Sequence, residues 1–368
     1  MKLIRKSLAM LLVLAMAIAF VACGQEGQQS TSSPTAAPAS STPSASTGSS
    51  TDPGTTDKKV DPLKIRLYNP VPGPVIDKVL ADFSSIVSEK SGGAITCEIT
   101  PAGTLGAERE ATQLMLMGDL DMAVFSIDAL DWLVPNIGMS WVCLPGLLNS
   151  WEEVDNLYNN GWMFEHHKKV AAENGIDLIC PGEFGLKVLL GTGKAPKSMA
   201  DLKGLKVRVP DVNFHHAYFT KLGMIPVSGI DMYTGLQQKT MEMVHNNIPA
   251  SSIFKLEEVV DWILLTWDLY GTNYWIANGD FSAKWTDAQR EIITDACLET
   301  AQYIRNTYRE LCDTWLDMCR QDPSIEVIEP TDEMKAEFKR IGREVWKEYR
   351  DLFDKEAMDR IFKDFNVE

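Results

Sequence analysis

The sequence holds no G-x-S-x-G nucleophile elbow, no H-E-x-x-H and no G-x-x-x-x-G-K-[ST]. Serine or zinc hydrolysis and P-loop nucleotide binding therefore lack their usual scaffolds. The stretch nearest the last pattern is Gly191-Thr192-Gly193-Lys194, but its first glycine would fall at Val188, so it reads as a turn. Histidine is scarce, at five. His166-His167 and His215-His216 are adjacent pairs pointing about 100° apart on a helix, and His245 stands alone, so no metal chelate is expected. Positive charge is also short: 35 Lys and Arg face 51 Asp and Glu, for a net charge of −16 and no basic cluster. This excludes a nucleic-acid binder and a general affinity for anionic lipid. The acidic pairs Glu152-Glu153 and Glu257-Glu258 read as solvated faces rather than acid/base couples. After residue 22 no apolar stretch is long enough to span a bilayer.

What is present divides into three segments. Lys2, Arg5 and Lys6 precede an apolar run from Leu8 to Ala22, the pattern of a secretory signal. Val21-Ala22-Cys23-Gly24 resembles a bacterial lipobox, which implies that 1–23 is a lipoprotein signal peptide and that Cys23 is lipidated; Phe20 stands where Leu is usual. Residues 24–60 form a Ser/Thr/Pro tether with no aromatic residue, unable to bury a core and reaching roughly 30–40 Å as a coil. The first sixty residues hold five basic and three acidic residues, so the remaining body carries −18. Six cysteines follow Cys23: 97, 143, 180, 297, 312 and 319. Cys312 and Cys319 are about 10.5 Å apart along a helix and should not pair; scattered buried thiols are expected.

The body alternates strands and helices. A strand over Lys64–Tyr68 precedes a helix from about Pro74 with the apolar stripe Ile76, Val79, Leu80, Phe83 and Val87. A strand over Ala94–Thr100, a helix over Glu108–Met117 and a strand over Met122–Phe125 follow. The theme returns with a strand at Lys206–Val209, a helix from about Asn213 to Leu222, a strand at Ile225–Ser228, a helix over Met232–Lys239 and a strand at Met243–His245. Asp177–Cys180 and Val188–Leu190 read as crossing strands between the two blocks. This predicts an α/β protein of two lobes with a cleft between them. The last third is helical: Asp287 to about Gln321 spans roughly 50 Å and can brace both lobes, and Asp332–Phe365 follows with one or two breaks. A cleft without reactive groups needs a recognition anchor. Arg208, in Lys206-Val207-Arg208-Val209-Pro210, can grip a carboxylate through two parallel hydrogen bonds; a surface arginine on an edge strand is the alternative.

Asp201-Leu202-Lys203-Gly204-Leu205-Lys206-Val207-Arg208-Val209-Pro210 closely resembles the signature of the DctP-type extracytoplasmic solute-binding proteins of TRAP transporters. In register follow Leu222-Gly223, Pro226-Val227, Tyr233, Leu236-Gln237 and Glu242 through Asn246; upstream lie Gly106, Glu108-Arg109 and Gly118-Asp119-Leu120-Asp121. The similarity covers essentially all of residues 63–350. It implies a two-lobed, periplasmic-binding-protein-like α/β fold with a hinge, an interlobe cleft and a long C-terminal bracing helix. Lobe I would be 61–184 plus about 272–315, and lobe II 185–271 plus about 316–368. It further implies that Arg208 forms the salt bridge to a ligand carboxylate and that Asn69, Glu108, Ser126, Asn246 and Tyr274 or Trp275 face the cleft. Lys187 stands, displaced by one residue, where many members have a second Arg. Gly229 replaces an aromatic of sialic-acid binders, and Met243-Val244 replaces Gly-Gln, which argues for a reshaped pocket.

The resemblance implies a monomeric, extracytoplasmic, lipid-anchored receptor. It would bind a small organic acid and hand it to the small and large TRAP permease subunits, with no enzymatic activity, cofactor or nucleic-acid partner. The rival reading is a membrane-anchored ligand sensor or interaction protein on the same fold.

Overall fold

The computed structural model describes residues 60–368; the signal peptide, Cys23 and the tether up to residue 59 lie outside the described residues. Strand β1 (Leu63–Tyr68), helix α1 (Pro74–Lys90), β2 (Ile95–Thr100), α2 (Glu108–Leu116) and β3 (Met122–Ser126) follow in order, and β1 pairs in parallel with both β2 and β3. Proline opens α1, where its missing N–H costs no helical hydrogen bond, and all five residues of the expected stripe are buried. Helices α3 (Asp128–Leu133) and α4 (Trp162–Glu173) lead to β4 (Ile176–Pro181).

The chain then enters a second sheet. β5 (Gly185–Gly191), β6 (Lys206–Arg208), α5 (Asn213–Lys221), β7 (Ile225–Val227), α6 (Met232–Gln237), β8 (Met243–Asn247), α7 (Ile248–Ile253), β9 (Trp262–Leu264) and β10 (Tyr270–Gly271) build most of it. A single residue, Thr272, separates β10 on the second sheet from β11 (Asn273–Asn278) on the first. The strand orders are β2-β1-β3-β11-β4 and β12-β9-β5-β8-β6-β7, with β10 on β5 and β12 at Glu326–Ile328. β6 is parallel to β7 and β8, as the repeated theme predicts, whereas β5 and β11 run antiparallel to their neighbours.

The two crossings lie side by side. The Gly182 N–H donates to Asn273 O at 2.7 Å and the Phe184 N–H to Gly271 O at 3.1 Å. The alternation of strands with helices, closed by such paired crossings, gives two α/β lobes with a cleft between them.

Helix α8 (Asp287–Gln321) has the bounds the sequence predicts, opened by a reciprocal capping box between Thr286 and Gln289. Its first turns bury Ile293, Ala296, Cys297, Ala301, Ile304 and Tyr308 against α1 and the first sheet. Its last turns bury Cys312, Trp315, Leu316 and Cys319 in the core of the second. One rigid rod of 35 residues therefore belongs to both cores. Helices α9 (Asp332–Tyr349) and α10 (Lys355–Asp364) close the chain; α9 packs on α5, while Asp354 accepts from His166 Nε2 at 2.6 Å and so ties the tail to α4. The six cysteines among the described residues are free thiols, five buried and Cys97 half-buried.

Candidate functional site

Arg208 is the last residue of β6. Val207 and Val209 on either side are fully buried, so the period-two alternation of a strand turns Arg208 to the opposite face. Its guanidinium is half-buried, forms no ion pair among the described residues, and its Nε is shut off from solvent without a hydrogen-bond partner. Burial lowers its pKa, and the one charge that offsets this is Asp231. That carboxylate is already engaged, accepting the Thr234 N–H at 2.8 Å to cap α6. A buried cation with unspent donors is costly by itself and suited to an anion that supplies the missing acceptors.

Lys187 lies opposite Asn247 in the β5–β8 pairing and is only 9% exposed. Burial pulls its ammonium pKa down, Arg208 adds repulsion, and the neighbouring Cys143, Asp128 and Asp268 oppose the fall. The structure thus brings Lys187 and Arg208 within electrostatic reach of each other. Asp268 is itself buried but held below its ordinary value by His245 Nε2 (2.9 Å), Thr266 Oγ1 (2.6 Å) and Tyr218 Oη (2.9 Å). Asn246 is buried one residue along β8, and its Nδ2 donates to Ser251 Oγ at 3.4 Å.

The first sheet supplies a second group. Asn69, Glu108 and Ser126 line one small cavity of about 20 Å³, room for little more than one water, together with Val124, Phe184 and Asn273. Asn69 follows β1 and donates through Nδ2 to Val71 O at 2.5 Å. Glu108 begins α2 and accepts from the Ser126 N–H at 2.5 Å and Oγ at 2.7 Å. Burial pushes the Glu108 carboxyl up to about 7 despite those hydrogen bonds, and Asp128 adds to the rise. Asp128 is therefore the electrostatic link between the two groups, felt by Glu108 on one side and Lys187 on the other. Nothing in its local sequence marked it.

Tyr274 and Trp275 do not join this arrangement. Both are fully buried on β11, pointing to opposite faces as adjacent strand residues must. Tyr274 Oη meets Tyr158 Oη and lies 3.2 Å from His167 Nδ1. Trp275 stacks on Phe83 with ring centroids 4.6 Å apart. The residue before them, Asn273, is the one that lines the cavity, and its buried Oδ1 has no hydrogen-bond partner. Gly182 makes room for it: a Cβ there would lie 1.8 Å from Asn273 Oδ1. Among the described residues no group of three or more His, Cys, Asp or Glu could hold a metal ion, and no helix is long and apolar enough to cross a membrane.

The family described as bacterial extracellular solute-binding protein, family 7, matches residues 70–352. The C4-dicarboxylate-binding protein DctB of Bacillus subtilis is 23% identical over 292 residues, covering 76% of this chain and 80% of that protein. The 2,3-diketo-L-gulonate-binding periplasmic protein YiaO of Escherichia coli is 24% identical over 278 residues, covering 75% and 82%. Among solved structures, a TRAP periplasmic solute binding protein from Ochrobactrum anthropi superposes with a TM-score of 0.74 at 23% identity, covering 83% of this chain and 96% of that one.

Proposed function

Because the chain belongs to the family 7 bacterial extracellular solute-binding proteins, we propose that it is the extracytoplasmic receptor of a TRAP-type transporter, binding a small organic acid between its lobes and delivering it to the membrane permease. The carrying observation is the half-buried Arg208 guanidinium, whose buried Nε has no partner. Arg208 grips the ligand carboxylate. Lys187 strengthens the positive potential from beneath, and Asn69, Glu108, Ser126 and Asn246 orient the rest of the molecule from the two sides. Relatives named for dicarboxylate and sugar-acid binding support the substrate class. The chemistry is recognition rather than turnover: ligand favours the closed arrangement because only there do both lobes touch it.

Sheet membership supports lobes at 61–184 plus about 272–315 and at 185–271 plus about 316–368, although the tail beyond residue 349 also touches α4. The protein acts as a monomer, tethered through a lipid on Cys23. Calorimetric titration with a panel of organic acids tests the reading. One acid should bind saturably to the wild type and lose its affinity in Arg208→Ala, and full affinity in that variant would remove the anchor.

A further inference from the structure

A second cavity, of about 420 Å³, shares Thr266 and Asp268 with the surroundings of Lys187, but none of Arg208, Lys187, Asn69, Glu108 or Asn246 lines it. That volume is in the range of small-molecule sites. One wall is the face of α9 that carries Lys335, Lys339 and Arg343, spaced four residues apart and so about 6 Å along the helix. The opposite wall is the segment Leu265–Asp268, which links β9 to β10 and from there to the crossing into the first sheet.

Charge and shape both select a ligand. Three stacked cations are unusual on a body of net charge −18. Lys335 and Lys339 are exposed and form no ion pair among the described residues. Arg343 spends one Nη2 donor on Phe365 O at 3.1 Å. Three carboxylates, Glu153, Asp268 and Glu329, also line the cavity, so the cations are gathered on one wall rather than in excess over the whole lining. Asp268 turns its carboxylate inward to Tyr218, His245 and Thr266. Glu153 accepts from the Asn149 N–H at 2.7 Å, which leaves Glu329 as the acid without a hydrogen bond. The apolar part of the wall is mostly aromatic: Trp267, Phe338 and Phe365, with Leu265 and Pro330 beside them. Trp267 holds its half-buried indole there from a left-handed backbone, φ 46°, which a bulky residue adopts only at a cost.

We propose that this cavity is a second ligand site, taking a small organic anion with a flat apolar body, an aromatic carboxylate or sulfonate. The ring lies against Trp267 and Phe365, and the acid group faces Lys335, Lys339 and Arg343. The test uses the intact chain titrated with naphthalenesulfonate by calorimetry. Wild type binds one equivalent saturably. The double variant Lys335→Gln/Lys339→Gln keeps its melting temperature and binds at least about tenfold more weakly, because two charge-assisted contacts are gone. Trp267→Ala also weakens binding, and Arg208→Ala leaves it unchanged. The proposal is overturned by the absence of saturable binding, by affinity indifferent to the lysine changes, or by an equal loss in Arg208→Ala. Titration with organic acids reads the Arg208 cleft separately, so failure of one site is distinguishable from failure of the other.

Discussion

Arg309 Nη2 lies 3.0 Å from Glu183 Oε2 and 2.8 Å from Asp155 Oδ1, with the guanidinium 4.8 Å above the Trp151 ring. Glu183 is fully buried in the crossing between β4 and β5, and Arg309 sits where α8 passes from one core to the other. The pair fastens the crossing to the brace. Burial pushes the Glu183 carboxyl up to about 7 even with Arg309 beside it.

Removing Arg309 should leave the buried carboxylate with only the more distant Arg305, 4.0 Å away, to compensate it. Arg309→Met is expected to cost about 2–4 kcal/mol of stability by urea unfolding, below the fully buried case because Arg309 is partly exposed. Adding Glu183→Gln to that variant should recover part of the loss. If the double variant is no more stable than Arg309→Met, the ion pair is not what holds the crossing.

Arg208 should show the opposite sign in the ligand-free protein. Its Nε, buried without a hydrogen-bond partner, is a cost of the fold, so Arg208→Met is expected to raise stability without ligand by about 1 kcal/mol. The same change should weaken organic-acid binding about 100-fold or more, since a bidentate charge-assisted contact is lost. Melting curves with and without ligand report both effects in one experiment.

Glu108 predicts a pH dependence. Its carboxyl rises from an ordinary 4.5 to about 7 in the fold, so the native state holds the proton more tightly than the unfolded chain. That contribution is complete below about pH 4.5 and lost as pH rises through about 7. Buried imidazoles such as His167, pushed down to about 3, pull stability the other way over part of this window. The comparison of Glu108→Gln with wild type cancels them. The variant should become relatively more stable between pH 4.5 and 7 and stay so above; a flat difference would mean that Glu108 is not a titrating buried acid.

Gly182 and Asn273 should be coupled. Gly182→Ala places a Cβ against Asn273 Oδ1 and is expected to destabilise by about 2 kcal/mol or more through overpacking. Asn273→Ala should rescue much of this loss, and additive effects in the double variant would exclude the contact as the cause.

The proposed lipidation of Cys23 has a direct readout in cells. Cys23→Ser should move the protein from the membrane fraction to the soluble fraction of its compartment, and an unchanged distribution would remove the lipidation reading.

Local pattern made the periodic parts legible in the sequence. The stripe of α1 and the bounds of α8 follow from 3.6-residue repeats and caps, and the outward turn of Arg208 follows from valines on both sides. What stayed hidden depends on pairing between distant segments. β11 lies between β3 and β4, and that register decides that Tyr274 and Trp275 are core while Asn273 reaches the cavity. The family resemblance, carried over by position, implies instead that Tyr274 or Trp275 faces the cleft. Asp128 was invisible for the same reason, since its importance comes from Glu108 and Lys187, which other elements bring to it.

The position of β11 also constrains the order in which the chain can fold. β4 finds its partner in the first sheet only in β11, nearly a hundred residues later, after the second sheet's strands through β10 have been laid down. During synthesis the first lobe therefore stays open at two strand edges until residue 278 has emerged, and cannot mature as an independent unit ahead of the second. Such high contact order slows folding and prolongs exposure of unpaired edges. A chain that must cross a membrane before it folds gains time from this delay, and it also depends on being kept from aggregating while it lasts.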